Sequence, residues 1–489
     1  MKILFAASEA YPIIKTGGLG DVVYSLPRAL KHEKADVRVI LPAYRVVLEQ
    51  MPQIRVAGWL EIPGIEKTHS VRILETTEQH LGVPLLLVDV ASLFDRPGNP
   101  YVHPDGYNWH DNAERFAVFS RAVARLAISD KILGWQPDIV HCHDWQTGLI
   151  PACLSQYAGA PKSVFTIHNL SYSGMFSHED FARLNLRKEW WSSHAMEFFG
   201  NFSMLKAGLI FADQVTTVSP NYAVEICTPG QGYGFDGILR SNSHKLSGIL
   251  NGIDEEVWNP QTDSFLPHRY SVDRNYVSGK RKNKEALLNE VGAENAESML
   301  DNPLLGLIGR LVEQKGIDLL LPIIPHFIEH TQASFVIIGS GEKHYEEALL
   351  RLAEQYPQRL FVTIGYSEER AHRIEAGADV FLMPSRFEPC GLNQLYSLKY
   401  GTLPIVHNVG GLADTVVDAS EENLDNETAT GFVFYQPTAM ALQHAIDRAL
   451  TLYPQTNSWR KVMRTAMRKD FSWDLSAKKY LLLYQKLIG

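Results

Sequence analysis

The sequence predicts an α/β protein made of two parallel-sheet lobes, and three of its features carry that prediction. Short β-branched or leucine-rich runs recur, each followed by a polar or glycine-rich turn and then a stretch of helical period. Parallel strands joined by crossover helices produce this alternation. The runs fall into two series, separated by a segment at 218–260 rich in Gly, Asn, Ser and Pro. The turn GGLGDVV at 17–23 returns as GGLADTV at 410–416, each after a strand-like run and before a helical one, a short echo that suits two similar lobes. At roughly 150 residues per domain, a chain of 489 residues has room for both.

In the first series the strand candidates are 2–8, 36–42, 84–90, 138–144 and 163–169. In the second they are 303–310, 334–341, 360–366, 379–385 and 402–408. A hinge near 250–260 separates a first domain, 1–250, from a second, 251–459. The tail at 472–487 offers Leu475, Tyr480, Leu483 and Leu487 for one face of a terminal helix. Residues 419–430 are acidic and polar with no periodicity, and read as a solvated surface turn.

Composition removes several classes of function. Lys and Arg total 46 against 55 Asp and Glu, a net charge of −9, and binding along a nucleic-acid backbone needs a basic field instead. Hydrophobic residues at 45% and charged residues at 21% are those of a folded globular chain rather than a disordered one. Cys142, Cys153, Cys227 and Cys390 are scattered and form no CxxC pair, which suits a reducing compartment. The apolar stretch at the amino terminus ends at Glu9, too short for a signal-peptide core. No run of about eighteen uncharged apolar residues is present, so no membrane span is expected. The expected location is the cytoplasm.

Several motifs are missing as well: a P-loop, a GxSxG elbow, an HExxH pair, and any two aspartates separated by one residue. The last is the usual carboxylate clamp for a metal-bound nucleotide sugar, so no metal is expected. What remains lies at strand ends, where open α/β sheets bind ligands. After the first strand come Lys15, Gly17, Gly18 and Asp21. Glycines let a backbone approach a ligand, and the following helix offers free N–H groups to an anion beside the Lys15 charge. As a lone pair, such glycines more often mark a tight strand-to-helix turn. Asp21 has two readings, as a helix cap and as a chemical group.

In the second series, Arg310 ends a strand and Lys315 follows in RLVEQKG. Two cations at one strand mouth can neutralise a diphosphate, the arginine by a planar fork and the lysine as a point charge. The stretch 385–401 places Pro389 before a helix whose first turn is expected to hold Cys390, Gly391, Leu392 and Asn393. Free amides there suit a phosphate, while Glu388 accepts from sugar hydroxyls or simply complements the helix dipole. His141, Cys142 and His143 suggest a metal, but strand alternation puts the cysteine opposite the two histidines. Asp144 and His168 read better as polar groups at neighbouring strand mouths. Tyr101 and the aromatic stretch after it read either as a stacking surface or as buried packing.

KTGGLGDVV, HCHDW, TIHN, LNGID, RLVEQKG, SRFEPCGLNQLYSLKYG and GGLADTV occur here in the order found in bacterial glycogen synthases and plant starch synthases. The chain resembles that family over nearly its whole length. The resemblance implies a GT-B fold: two Rossmann-like parallel-sheet domains facing a deep interdomain cleft, with the carboxy-terminal stretch 460–489 crossing back onto the first. It implies transfer of glucose from ADP-glucose to the non-reducing end of glycogen or a maltooligosaccharide, with retention of configuration, release of ADP and no required cofactor.

By matched position, Arg310 and Lys315 bind the diphosphate, helped by Gly18 and the amides at Gly391, Leu392 and Asn393. Tyr366 lies against the adenine, and Lys15 contacts the donor or its leaving phosphate. Glu388 holds sugar hydroxyls, and Asp144, His168, Asn169 and Asn251 orient the donor glucose or the acceptor. The family places the His168 carbonyl near the anomeric carbon and lets the departing phosphate deprotonate the acceptor. Competing readings on the same fold are a UDP-sugar transferase, a glucan phosphorylase carrying pyridoxal phosphate on a lysine, and a silent glucan-binding protein.

Overall fold

The computed structural model describes residues 1–51, 53–76 and 81–489. The chain forms two compact units, Met1–Asn251 together with Trp473–Gly489, and Gly252–Ser472.

The first unit carries strands β1 (Lys2–Ala6), β2 (Asp36–Pro42), β3 (Arg55–Pro63), β4 (Thr68–Thr76), β5 (Leu85–Asp89), β6 (Ile139–His143), β7 (Lys162–Ile167), β8 (Met175–Phe176), β9 (Glu197–Phe198), β10 (Asn201–Ser203), β11 (Gln214–Thr217) and β12 (Leu246–Gly248). Nine of them form one sheet in the order β12-β11-β7-β6-β1-β2-β5-β4-β3. Its strands are parallel except at one edge, where β4 runs antiparallel to both β5 and β3. The parallel strands are covered on both faces, so Ile3, Leu4, Phe5 and Ala6 of β1 are all buried, which is why they read as an unbroken apolar run. The β3–β4 hairpin escapes that signal, because its first strand is largely exposed and its second alternates in burial. The strand order turns at β1, whose neighbours are β2 and β6, so β1 and β6 flank the switch point where such sheets bind ligands.

The terminal helix, Trp473–Ile488, belongs to this unit. Its buried residues are Trp473, Ser476, Ala477, Tyr480 and Tyr484, while Leu475 is exposed. Of the expected face, Tyr480 is buried, while Leu475, Leu483 and Leu487 are not. The buried stripe follows the tyrosines because Tyr484 reaches into the sheet and its hydroxyl bonds His141 Nδ1 at 2.7 Å.

The second unit carries β13 (Leu304–Ile308), β14 (Ser334–Gly339), β15 (Leu360–Ile364), β16 (Val380–Met383), β17 (Leu403–His407) and β18 (Phe432–Phe434). They form an all-parallel sheet in the order β15-β14-β13-β16-β17-β18, with its switch point between β13 and β16. Trp459, Val462, Met463 and Ala466, from the helix Thr456–Met467, sit in the same core as Phe432 and Leu442. That helix therefore stays with the second unit, and the return to the first begins at Trp473 rather than at 460. Within 419–430, expected to be an irregular turn, Glu421–Asp425 is a short helix capped by the Ser420 side chain. Local capping by serine supplied order that hydrophobic periodicity did not signal.

Removing the Tyr484 hydroxyl leaves a buried His141 nitrogen unpaired. Tyr484→Phe is expected to lower stability by about 1–3 kcal/mol, read as a lower urea midpoint; an unchanged midpoint would count against the contact.

Candidate active site

In the first unit, β1 ends at Ala6 and the chain runs through Ser8 and Glu9, both buried. The Glu9 carboxylate accepts from the Thr16 amide and hydroxyl, the Gly17 amide and the Tyr101 hydroxyl, at 2.5–3.2 Å. A buried carboxylate needs such donors, and satisfying this one folds 10–17 back over the strand end. Tyr101 also bonds the Ser8 hydroxyl at 2.7 Å, and its ring packs near Phe116 and Trp145. Its hydroxyl serves the loop from inside. Nothing in the sequence singled out Glu9, which looked like the polar end of a strand; its signal was an acid placed directly after a fully buried run.

The loop delivers Lys15, whose ammonium bonds Asp21 Oδ1 at 2.8 Å. Asp21 stands in the first turn of the helix Gly18–His32, whose N-cap is Gly17, and there it orients Lys15. A Cβ added at Gly17 or Gly18 would meet nothing within 4 Å. Both glycines face open space.

At the mouths of β6 and β7, Asp144 takes a positive φ of 58°. The turn aims its carboxylate at the His168 amide, which donates to Oδ1 at 2.8 Å. Burial pushes the Asp144 carboxyl up to about 7, against the lowering effect of amides at His168 and Asn169. Burial also takes the His168 imidazole down to about 3 and holds His141 and His143 well below the ordinary histidine range. All three rings are neutral at pH 7. His143 Nδ1 and His168 Nε2 share a hydrogen bond of 3.0 Å. Asn169 Oδ1 accepts from the Ser171 amide and hydroxyl. Asn251 is buried, and its Oδ1 has no partner among the described residues. Also among the described residues, no three His, Cys, Asp or Glu side chains gather as a metal-ligand set.

In the second unit, Arg310 follows β13 and bonds Gln314 Oε1 at 2.9 Å. Gln314 in turn donates to the Phe387 carbonyl and accepts the Arg386 amide at its own backbone oxygen, so the loops after β13 and β16 are tied together. Gly316 has φ 71°, and a Cβ there would lie 2.1 Å from the Pro384 carbonyl oxygen. Only glycine permits that approach, and it sets Lys315 beside Glu388. Their ion pair measures 2.6 Å, with Ser385 donating to the same Glu388 oxygen at 3.0 Å. Glu388 Oε1 has no partner among the described residues.

The helix after Pro389 starts later than expected. It spans Asn393–Tyr400, and Gly391, at φ 69°, keeps Cys390–Leu392 outside it. The amides of Gly391, Leu392 and Asn393 still find no acceptor among the described residues, whereas the Asn393 side chain is spent on the Ile308 carbonyl. Tyr366 stands exposed just past β15, its hydroxyl on Glu368. The glycines that echo 17–18 behave differently from them: a Cβ at Gly410 would lie 1.9 Å from the Glu388 oxygen, and one at Gly411 2.1 Å from the Cys390 oxygen. This pair is closed by protein and fixes the backbone on which Glu388 rides.

The starch synthase catalytic domain family matches residues 2–241, and glycosyl transferases group 1 matches residues 293–466. A glycogen synthase of Hydrogenovibrio crunogenus is 52% identical over 491 aligned positions, covering 100% of both chains. The catalytic domain of starch synthase IV from Arabidopsis thaliana, solved bound to ADP and acarbose, superposes with a TM-score of 0.87 at 32% identity, over 100% of this chain and 99% of that one. The sucrose-phosphate synthase of Thermosynechococcus elongatus shares the fold at a TM-score of 0.60 and 18% identity, over 99% and 98%.

The two glycine pairs predict opposite responses. Gly17→Ala leaves stability within about 0.5 kcal/mol, while Gly411→Ala, which overpacks the Cys390 backbone, costs about 1–3 kcal/mol; denaturation midpoints decide it, and equal shifts would contradict the geometry. For Asp144 the folded carboxyl lies near 7 against a reference of 3.8, so the fold bears a penalty that is absent below the reference value, grows as pH rises between the two, and is full above the folded value. Asp144→Asn should therefore gain stability relative to wild type as pH rises from about 4 to about 7. A difference that does not vary with pH would contradict the burial.

Proposed function

This chain belongs to the glycogen and starch synthase family of two-lobed GT-B glycosyltransferases, and from that premise we propose that it transfers glucose from ADP-glucose to the non-reducing end of an α-1,4-glucan, with retention of configuration and release of ADP. The observation that carries the reading is the loop pair of the second unit. Arg310, the paired Lys315 and Glu388, and three unspent amides at Gly391, Leu392 and Asn393 converge on one set of strand ends.

The chemistry asks for such a set. As the bond from the anomeric carbon to phosphate breaks, positive charge grows on the sugar ring and negative charge on the departing ADP. Cations and amides already fixed in place favour the leaving group without reorganising. Arg310 and Lys315 take that role, the backbone from Gly391 to Asn393 and Gly18 contributes amides or close approach, and Lys15 adds a cation toward the donor or its leaving phosphate. Tyr366 stacks on the adenine, and Cys390 contributes through the backbone of its loop. Glu388 keeps one oxygen on Lys315 and offers the other to sugar hydroxyls.

Asp144, His168, Asn169 and Asn251 orient the glucose or the acceptor. Asn251 has a buried oxygen to spend, and the Asp144 bond holds the His168 backbone so that its carbonyl faces the anomeric carbon. The acceptor's 4-hydroxyl forms the new bond on the face the phosphate leaves, and its proton passes to that phosphate. No side-chain nucleophile and no metal or cofactor is assigned. We place the protein in the cytoplasm, where its four unpaired cysteines stay reduced.

Incubation with ADP-glucose and a maltooligosaccharide is expected to give longer chains and stoichiometric ADP, with ADP-glucose outcompeting UDP-glucose. Lys315→Ala and Glu388→Ala are each expected to lower turnover by about a hundredfold or more while circular dichroism stays unchanged. Absence of elongation, or near-wild-type rates in either variant, would overturn the assignment.

A further inference from the structure

Behind His168 lies a chain of buried polar contacts that the reaction as described does not use. His141 has both nitrogens engaged: Nδ1 with the Tyr484 hydroxyl at 2.7 Å and Nε2 with the Thr166 hydroxyl at 2.6 Å, which itself bonds Thr216. Its ring is fixed, and His143 packs on it at 4.2 Å between centroids, with Phe5 stacked on the His143 ring at 5.3 Å. His143 is fully buried and has a single polar contact, from Nδ1 to His168 Nε2 at 3.0 Å; its own Nε2 has no partner among the described residues.

We propose that His143 is a positioning residue that fixes the tautomer of His168, donating its Nδ1–H to His168 Nε2 so that His168 carries its own proton on Nδ1. Both rings are neutral, because burial disfavours their charged forms, so each carries one N–H and one lone pair. The shared bond needs one donor. Were His168 Nε2–H the donor, His143 would have to keep its proton on Nε2, as a buried N–H facing no acceptor. In the other arrangement His143 Nε2 is a bare lone pair against apolar surroundings. Buried orphan donors are rarer than under-used acceptors, so the proton sits on His143 Nδ1.

The consequence falls on His168. Its Nε2 is occupied as an acceptor, and its Nδ1–H, without a protein partner among the described residues, is the one ring donor left for a bound hydroxyl. This consequence rests on the proposed binding of a hexose at this strand mouth. The tautomer does not, and it can be read without any substrate.

The test uses long-range proton–nitrogen correlation spectra of the full-length protein labelled in histidine, with His168 assigned by its loss in His168→Asn. The wild type is expected to show a protonated Nδ1 and a bare Nε2 at His168. His143→Asp replaces the donor by an acceptor-only carboxylate and should put the proton on His168 Nε2, lowering kcat by about tenfold to a hundredfold with a smaller change in KM for ADP-glucose. His143→Asn, whose side-chain amide puts an N–H near the former Nδ1 position, should restore the Nδ1–H pattern and recover most of kcat. A protonated Nε2 at His168 in the wild type overturns the proposal, whether or not the variants fold. So does a His143→Asp enzyme that keeps both tautomer and kcat. A protein that shows the expected tautomer but does not transfer glucose would instead overturn the functional reading alone.

Discussion

A carboxylate removed from water must find donors, and in this protein that requirement shapes both units at their strand mouths. Glu9 collects four donors and thereby folds the loop that carries Lys15. Asp144 turns through a positive φ to take the His168 amide. Glu388 takes Lys315 and Ser385 on one oxygen. Each acid is held near apolar sheet ends where solvation is poor, so the cost of leaving it unpaired is several times that of a surface contact. The two lysines at these strand mouths are each held by a carboxylate, Lys15 by Asp21 and Lys315 by Glu388.

Glycine supplies the space for that organisation, and it does so by two different physical routes. At Gly316, Gly410 and Gly411 a side chain would collide with backbone oxygens of 384–390, so the absence of Cβ lets two loops of the second unit interlock. At Gly17 and Gly18 nothing occupies the space where a Cβ would go, and the same dipeptide leaves room for a guest. The sequence echo between 17–23 and 410–416 is real as a strand-to-helix turn, but one copy closes a loop and the other opens one.

Most of the parallel strands were legible because burial on both faces forces continuous apolar runs; 36–42 matches β2 end to end. The β3–β4 hairpin, half solvated at a sheet edge, left no such run. Lys15, Arg310, Lys315 and Glu388 were legible as charges at strand ends, and the Lys315–Glu388 pairing of two residues 73 positions apart became visible only in three dimensions. Gly391 was read as part of a helix, and its left-handed backbone moved the helix start to Asn393. The terminal helix was assigned a face of Leu475, Tyr480, Leu483 and Leu487, of which Tyr480 is buried, and the hydroxyl of Tyr484 on His141 marks the buried stripe. Glu9 was passed over as the polar end of a strand and His143 was weighed only as a metal candidate, because the partners of both come from other parts of the chain.

In the proposed reaction the cations and amides of the second unit receive a nucleotide diphosphate. A crystal structure of the protein with ADP tests it most directly. The diphosphate is expected within hydrogen-bonding distance of Arg310, Lys315 and the amides of Gly391 to Asn393, with the Lys315–Glu388 pair retained. Nucleotide bound away from these strand ends, with those groups untouched, would contradict it.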